Sequence, residues 1–173
     1  MRTMRSVRSY RFAVDERLVA ASASHSRLVG SVVRGQGLTY RLSVGSKTTE
    51  VVRLRSATYV RVVPHRWSRL FRPHLLADPT ASLFQILNAM VPVALAHSNH
   101  ILAVNGPLPV TAARAAGLPA TKPAEVTVTM DGRGRVIALD VATTTQASGR
   151  DVKVSLRAAY SGFGQVPRIR KPV

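Results

Sequence analysis

DPTASLFQILNAMVPVA, residues 78–94, lies in a longer stretch from Pro79 to Ala113 that holds no Asp, Glu, Lys or Arg, although the chain carries a net charge of +17. Asp78 is placed to cap a helix and Pro79 to sit in its first turn, where proline is tolerated. Leu83, Leu87, Met90 and Ala94 then recur at helical spacing, which predicts a helix ending around His97. Phe84, Ile86, Val91 and Val93 are apolar too, so this helix must lie against a sheet, a ligand or both. Asn88 and Pro92 interrupt it, and its apolar run falls short of the roughly 20 residues a bilayer core demands.

Outward from the helix the sequence reads as strands. Tyr10, Phe12 and Val14 alternate with Arg11, Ala13 and Asp15 within a strand predicted over Arg5 to Val19, and Arg27 to Arg34 makes a second. Leu38, Tyr40, Leu42 and Val44 alternate with Thr39, Arg41 and Ser43, and Gly45-Ser46 leads by a hairpin turn into Thr48 to Arg55 and then Thr58 to Val63. After the helix, Ile101 to Val104 reads as a strand broken by Gly106-Pro107 and Pro109, and Val110 to Ala116 as a short helix. Val126, Val128 and Met130 precede the turn Asp131-Gly132-Arg133-Gly134, with Ile137, Leu139 and Val141 beyond it. Val152, Val154, Leu156 and Tyr160 mark the last long strand, and Val166 to Lys171 an added edge strand.

About nine antiparallel strands joined mostly by short turns cannot stay flat, because strand twist accumulates. The expected fold is mainly β within the α+β class: one domain over residues 1–173, a strongly curved antiparallel half-barrel sheet. One main helix and one short helix cover its concave apolar face. That arrangement either packs solid or leaves a cavity.

Composition narrows the function. Lys and Arg total 25 against 8 acids, so the surface attracts anions such as nucleic acid, acidic lipid headgroups or acidic polymers. There is no cysteine, which excludes disulfides, thiolate metal sites and cysteine nucleophiles. Met1 to Arg11 lacks the apolar core of a signal peptide. The eight acids are scattered and no serine lies in a nucleophile-elbow pattern, so no catalytic residue is assigned and the chain reads as a non-enzyme. His97 and His100 have a spacing that holds a metal on a helix, but no acid lies near and no metal or other cofactor is expected. Gly162-Phe163-Gly164 precedes Pro167 rather than a helix, so it reads as a turn and not a phosphate loop.

Several local patterns, in order, carry a resemblance. They are Ser9-Tyr10-Arg11-Phe12, then Ala57-Thr58-Tyr59-Val60-Arg61 with Trp67-Ser68-Arg69-Leu70 close behind, and finally Tyr160-Ser161-Gly162-Phe163-Gly164 with Pro167, Ile169 and Pro172. With the helix and the Asp131 hairpin between them, they resemble the LolA-like half-barrel proteins, in particular the actinobacterial LppX/LprG-type lipoproteins. The resemblance implies a hydrophobic interior that binds the acyl chains of lipids, glycolipids or lipoproteins. It also implies their transport through the cell envelope by a protein anchored to the membrane in its full-length form. Such proteins carry a signal with a lipidated cysteine and a helix before the first strand, and neither is visible in this chain.

The cavity candidates are Tyr10, Phe12, Leu38, Tyr40, Leu42, Leu83, Leu87, Met90, Val91, Leu139, Val141, Val154 and Leu156, with a bound lipid as the expected occupant. The same side chains serve equally to pack one another. Arg61, Arg66, Trp67 and Arg69 are candidates for a rim facing lipid headgroups or an anionic membrane surface, and equally for a tryptophan packed at the sheet edge. The alternative function is a basic sheet protein that binds nucleic acid or an anionic cell-wall polymer: 14 of the 21 arginines precede Pro73, and Tyr40, Tyr59 and Trp67 offer stacking faces. Nucleic acid is the less favoured partner, because Tyr40 alternates with the inward apolar set and no RNA-binding motif is present. A third reading is a signalling or scaffold domain with a filled interior.

Overall fold

The computed structural model describes residues 6–19, 24–70, 81–98 and 100–173. Their alternating stretches form β1 (Ser9–Val19), β2 (Ser24–Val33), β3 (Gly37–Val44), β4 (Lys47–Leu54), β5 (Thr58–Val62) and β6 (Ser68–Leu70). Helix α1 (Ala81–Ala89) follows, then β7 (Ala94–Ser98), β8 (Ile101–Leu108), the short helix α2 (Val110–Ala115), β9 (Ala124–Met130), β10 (Val136–Ala147) and β11 (Arg150–Ser161). The strands make one sheet in the order β6-β5-β4-β3-β2-β1-β11-β10-β9-β8-β7, every neighbour antiparallel. Two meanders thus meet where the first strand pairs with the last. Strands β6 and β7 end up on opposite edges, so the chain between them must cross the sheet.

Period-two patterning gives each face its chemistry. In register across seven strands, Val104, Val128, Leu139, Ala158, Val14, Leu28 and Leu42 form one apolar row on the concave side. Tyr160, Phe12, Gly30, Tyr40, Val51 and Val60 form the adjacent row. Helix α1 sets Ile86 and Leu87, and Met90 just past its end, into the buried cluster that includes Phe12, Val104, Val128 and Leu139. The β10–β11 turn has positive φ at both Ser148 and Gly149, the backbone twist that a two-residue hairpin requires.

The structure departs from the sequence reading at several points. Helix α1 stops at Ala89 rather than near His97, and Ala94–Ser98 is a strand. Pro92 lacks an amide hydrogen and disfavours helical backbone at Val91; the amides of Val91 and Val93 instead donate to the carbonyls of Pro107 and Asn105. Strand β8 runs through Gly106 and Pro107 to Leu108, because a bare glycine is what this close approach permits: a Cβ on Gly106 would lie 1.9 Å from the Val91 carbonyl oxygen. The described residues hold eleven strands rather than about nine, β6 and β7 being the additions. The segment 166–171 adds no strand: the Val166 amide donates to Ser9 Oγ, and Pro167 and Pro172 have no amide hydrogen to give a ladder. Arg53, one residue from the end of β4, stands in register with Leu38 and Thr58 on the concave side and is half-buried. The expected cap at Asp78 and Pro79 lies outside the described residues.

Candidate functional site

The concave face is the candidate site, and α1 is its cover. Of the predicted lining, Tyr10, Phe12, Leu87, Met90, Leu139 and Val141 are buried in one apolar cluster, with Tyr40 and Leu156 half-buried against it. Leu38 and Val154 are buried and Leu42 is half-buried, all three outside that cluster. Leu83 belongs to α1, but its side chain lies outside those described. Val91 is 54% exposed, because the chain leaves the helix one residue before it and joins the edge of the sheet.

Sequence reasoning left out several residues that complete the cluster: Ile86, Val104, Leu108, Val126, Val128 and Tyr160. The signal was present for Ile86, four residues before Met90 on the same helical face, and for Val126 and Val128 in the strand alternation. Burial, with the Tyr10 ring 6.1 Å away, pushes the Tyr160 hydroxyl well above its ordinary pKa, so it stays neutral inside the cluster. The apolar row continues beyond Val104 to Leu95 on edge strand β7, where Val93 and Leu95 are 73% and 71% exposed. The covered interior therefore opens on one edge into uncovered apolar surface.

The convex face is different in kind. Arg41, Glu50 and Arg61 stand in register on β3, β4 and β5, and both arginines donate to the Glu50 carboxylate. Burial alone would raise the Glu50 pKa, but these hydrogen bonds and charges outweigh it and hold the carboxyl below its ordinary value. The Arg61 guanidinium lies 4.8 Å from the Trp67 ring centroid, and Trp67 shares a half-open cavity of about 270 Å³ with Val29, Thr39, Arg41, Glu50 and Val52. Trp67 and Arg61 are thus on the convex side, away from the apolar cluster. Arg66 and Arg69 are exposed, Arg69 in register with Tyr59.

Other acids hold the scaffold. Asp15 meets His25 and Arg27, Asp140 meets Arg157, and Asp151 meets Lys122. Asp131 accepts the amides of Arg133 and Arg135 as well as the Arg135 guanidinium, which closes the β9–β10 turn. His97 and His100 fall on β7 and in the turn after it, not on a helix, and no trio of His, Asp or Glu among the described residues is placed to hold a metal. Gly162 and Gly164 both have positive φ and form the turn by which the chain leaves the sheet. No helix among the described residues is long and apolar enough to cross a membrane.

No protein-family model matches this chain, and no curated protein does. Among solved structures, the lipoprotein LppX of Mycobacterium tuberculosis superposes with a TM-score of 0.55 at 12% identity, over 97% of this chain and 93% of that one. A LolA superfamily protein from Nitrosomonas europaea aligns at 9% identity over 90% of this chain and 85% of that one, with a TM-score of 0.26. A domain named for outer-membrane lipoprotein sorting, from Vibrio parahaemolyticus, aligns at 9% identity over 88% and 83%, with a TM-score of 0.25. The last two superpositions are too loose to add to the argument. The chain has the fold seen in LppX, and at 12% identity that likeness is one of fold alone.

Proposed function

We propose that this protein is a non-enzymatic carrier that binds the acyl chains of lipids or lipidated molecules between α1 and the concave sheet face, and moves them within the cell envelope. One observation carries the reading. On a scaffold shared with a lipoprotein, the only long charge-free stretch lays a helix over continuous apolar rows that run out to an exposed apolar edge at Leu95. Acyl chains need no chemistry from such a wall, since each buried methylene contributes about 0.8 kcal/mol. The carboxylates described above are engaged in ion pairs and turns, which fits a binding role. Anchoring of a full-length form to the membrane belongs to the same proposal.

The test is native mass spectrometry of the purified protein, followed by organic extraction of what it carries. Adducts of lipid mass that vanish on denaturation are expected, and Leu87→Arg or Met90→Arg should abolish them while Arg55→Ala, in an exposed turn, leaves them. Equal lipid retention in a folded Leu87→Arg protein refutes the reading.

A further inference from the structure

The convex face carries a second concavity of another character. Arg11, Ser31, Thr39 and Val52 stand in register on β1 to β4, and Tyr59 continues the row on β5. The C-terminal segment after β11 runs along this row. The Gly164 amide donates to the Ser9 carbonyl at 2.8 Å, the Val166 amide to Ser9 Oγ at 3.2 Å, and the Lys171 ammonium lies 5.8 Å from the Tyr59 ring centroid. Between segment and sheet is a cleft of about 340 Å³. Arg11, Arg168 and Arg170 line it with Ser31 and Thr39, and among the described residues no carboxylate does.

That composition sets it apart from the rest of the face. Arg41 and Arg61 share Glu50, Arg27 has Asp15, and Arg157 has Asp140. Three guanidiniums around a cleft that no described acid lines concentrate positive potential there. The planar fork of arginine matches the oxygens of a phosphate, and the two hydroxyls add neutral donors. Thr39 and Val52 also line the Trp67 cavity, so the two concavities adjoin.

We propose that this cleft is a binding site for a phosphate ester. The phosphate sits among Arg11, Arg168 and Arg170, and the rest of the ligand extends over Thr39 and Val52 toward Trp67. The chemistry is shared by a soluble sugar phosphate and by the phosphate of a lipid headgroup. The site lies on the opposite face from the apolar cluster, so it stands or falls apart from the acyl-chain reading.

Trp67 is the single tryptophan of the chain and lines the adjoining cavity, so it reports on a ligand that extends from the cleft toward it. Its fluorescence is followed as the full chain is titrated with glucose 1-phosphate at about 0.15 M ionic strength. In parallel the protein is sedimented with phosphatidylglycerol vesicles and with phosphatidylcholine vesicles. Saturable binding is expected for the sugar phosphate, for the anionic vesicles, or for both; response to one alone identifies whether the ester is soluble or a headgroup. Arg168→Ala combined with Arg170→Ala removes exposed side chains from a segment outside the sheet, so melting should be unchanged while binding weakens about tenfold or more. Arg150→Ala with Lys153→Ala removes two exposed charges elsewhere and should leave binding intact. Binding unaffected by the Arg168 and Arg170 changes, equal weakening in the control, or no response to either probe overturns the proposal.

Discussion

Glu50→Gln isolates one interaction whose size and pH dependence follow from the structure. The Glu50 side chain is 12% exposed and holds Arg41 and Arg61 together across three strands. Gln keeps the shape and removes the charge, leaving two guanidiniums facing each other. A hydrogen bond to a charged group contributes about 1.5–3 kcal/mol when enclosed. Here the arginine side chains are 63% and 36% exposed, so solvent screening brings the net loss to about 1–2 kcal/mol. For a protein of this size that lowers Tm by roughly 2–8 °C. The sign with pH is fixed. Burial alone would raise the carboxyl, but the arginines hold it below its ordinary value of 4.5, so its contribution is fully present above that value and is lost as pH falls through the folded pKa. Thermal unfolding followed by circular dichroism should show a constant gap between the two proteins from pH 6 to 8 that closes as pH drops below about 4.5. A gap of the same size at pH 3, or none at pH 7, refutes the reasoning.

Two further outcomes bear on the concave face. Gly30 faces Phe12 in register, and a Cβ there would lie 2.3 Å from the Thr39 carbonyl oxygen and 2.6 Å from Phe12 Cζ, so Gly30→Ala should cost about 1–3 kcal/mol in a urea titration; an unchanged midpoint would contradict this packing. Leu95→Glu changes a side chain that is 71% exposed, so stability should move by no more than about 0.5 kcal/mol, while uptake of a fluorescent fatty acid from vesicles should slow; an unchanged uptake rate places the entrance elsewhere.

Parity was the legible part of this fold. Leu38, Tyr40 and Leu42 announce both their strand and the face they share, because a two-residue period leaves no other assignment. The Asp131 turn was legible for a similar reason: one carboxylate satisfies the amides that a tight connection leaves free. What could not be read locally is what depends on distant partners. The β1–β11 pairing joins residues such as Phe12 and Tyr160, and nothing near either names the other. Strand β7 was absorbed into the helix pattern because Leu87, Met90 and Ala94 keep helical spacing across Pro92, and only the carbonyls of β8 draw those amides into the sheet. The same limit governed the sites. The apolar faces were visible, but the side of the sheet that Trp67 and its arginines occupy was not, because it is set by register with Glu50 and Arg41. The arginines of the C-terminal segment drew no assignment, since a cleft between an irregular segment and a sheet has no period to detect.

Burial accounts for only half of the charge-free stretch. A charge at Ile86, Leu87 or Met90 would be carried into the apolar cluster without a partner, a cost of several kcal/mol, so neutrality there follows from the fold. Strand β7 is another matter, for every residue from Ala94 to Ser98 is exposed. Exposed edge strands are usually guarded by charge against pairing with other chains, and the opposite edge, β6, carries Arg69. A chain of net charge +17 had arginine in abundance for this edge, yet it presents Val93 and Leu95. The fold does not require that choice. A carrier does, because an acyl chain leaving the covered interior along the row from Val128 through Val104 to Leu95 would meet a desolvation barrier at any charge on its path. The unguarded edge is therefore the feature of this sequence that supports the proposed carrier reading over a filled half-barrel of the same shape.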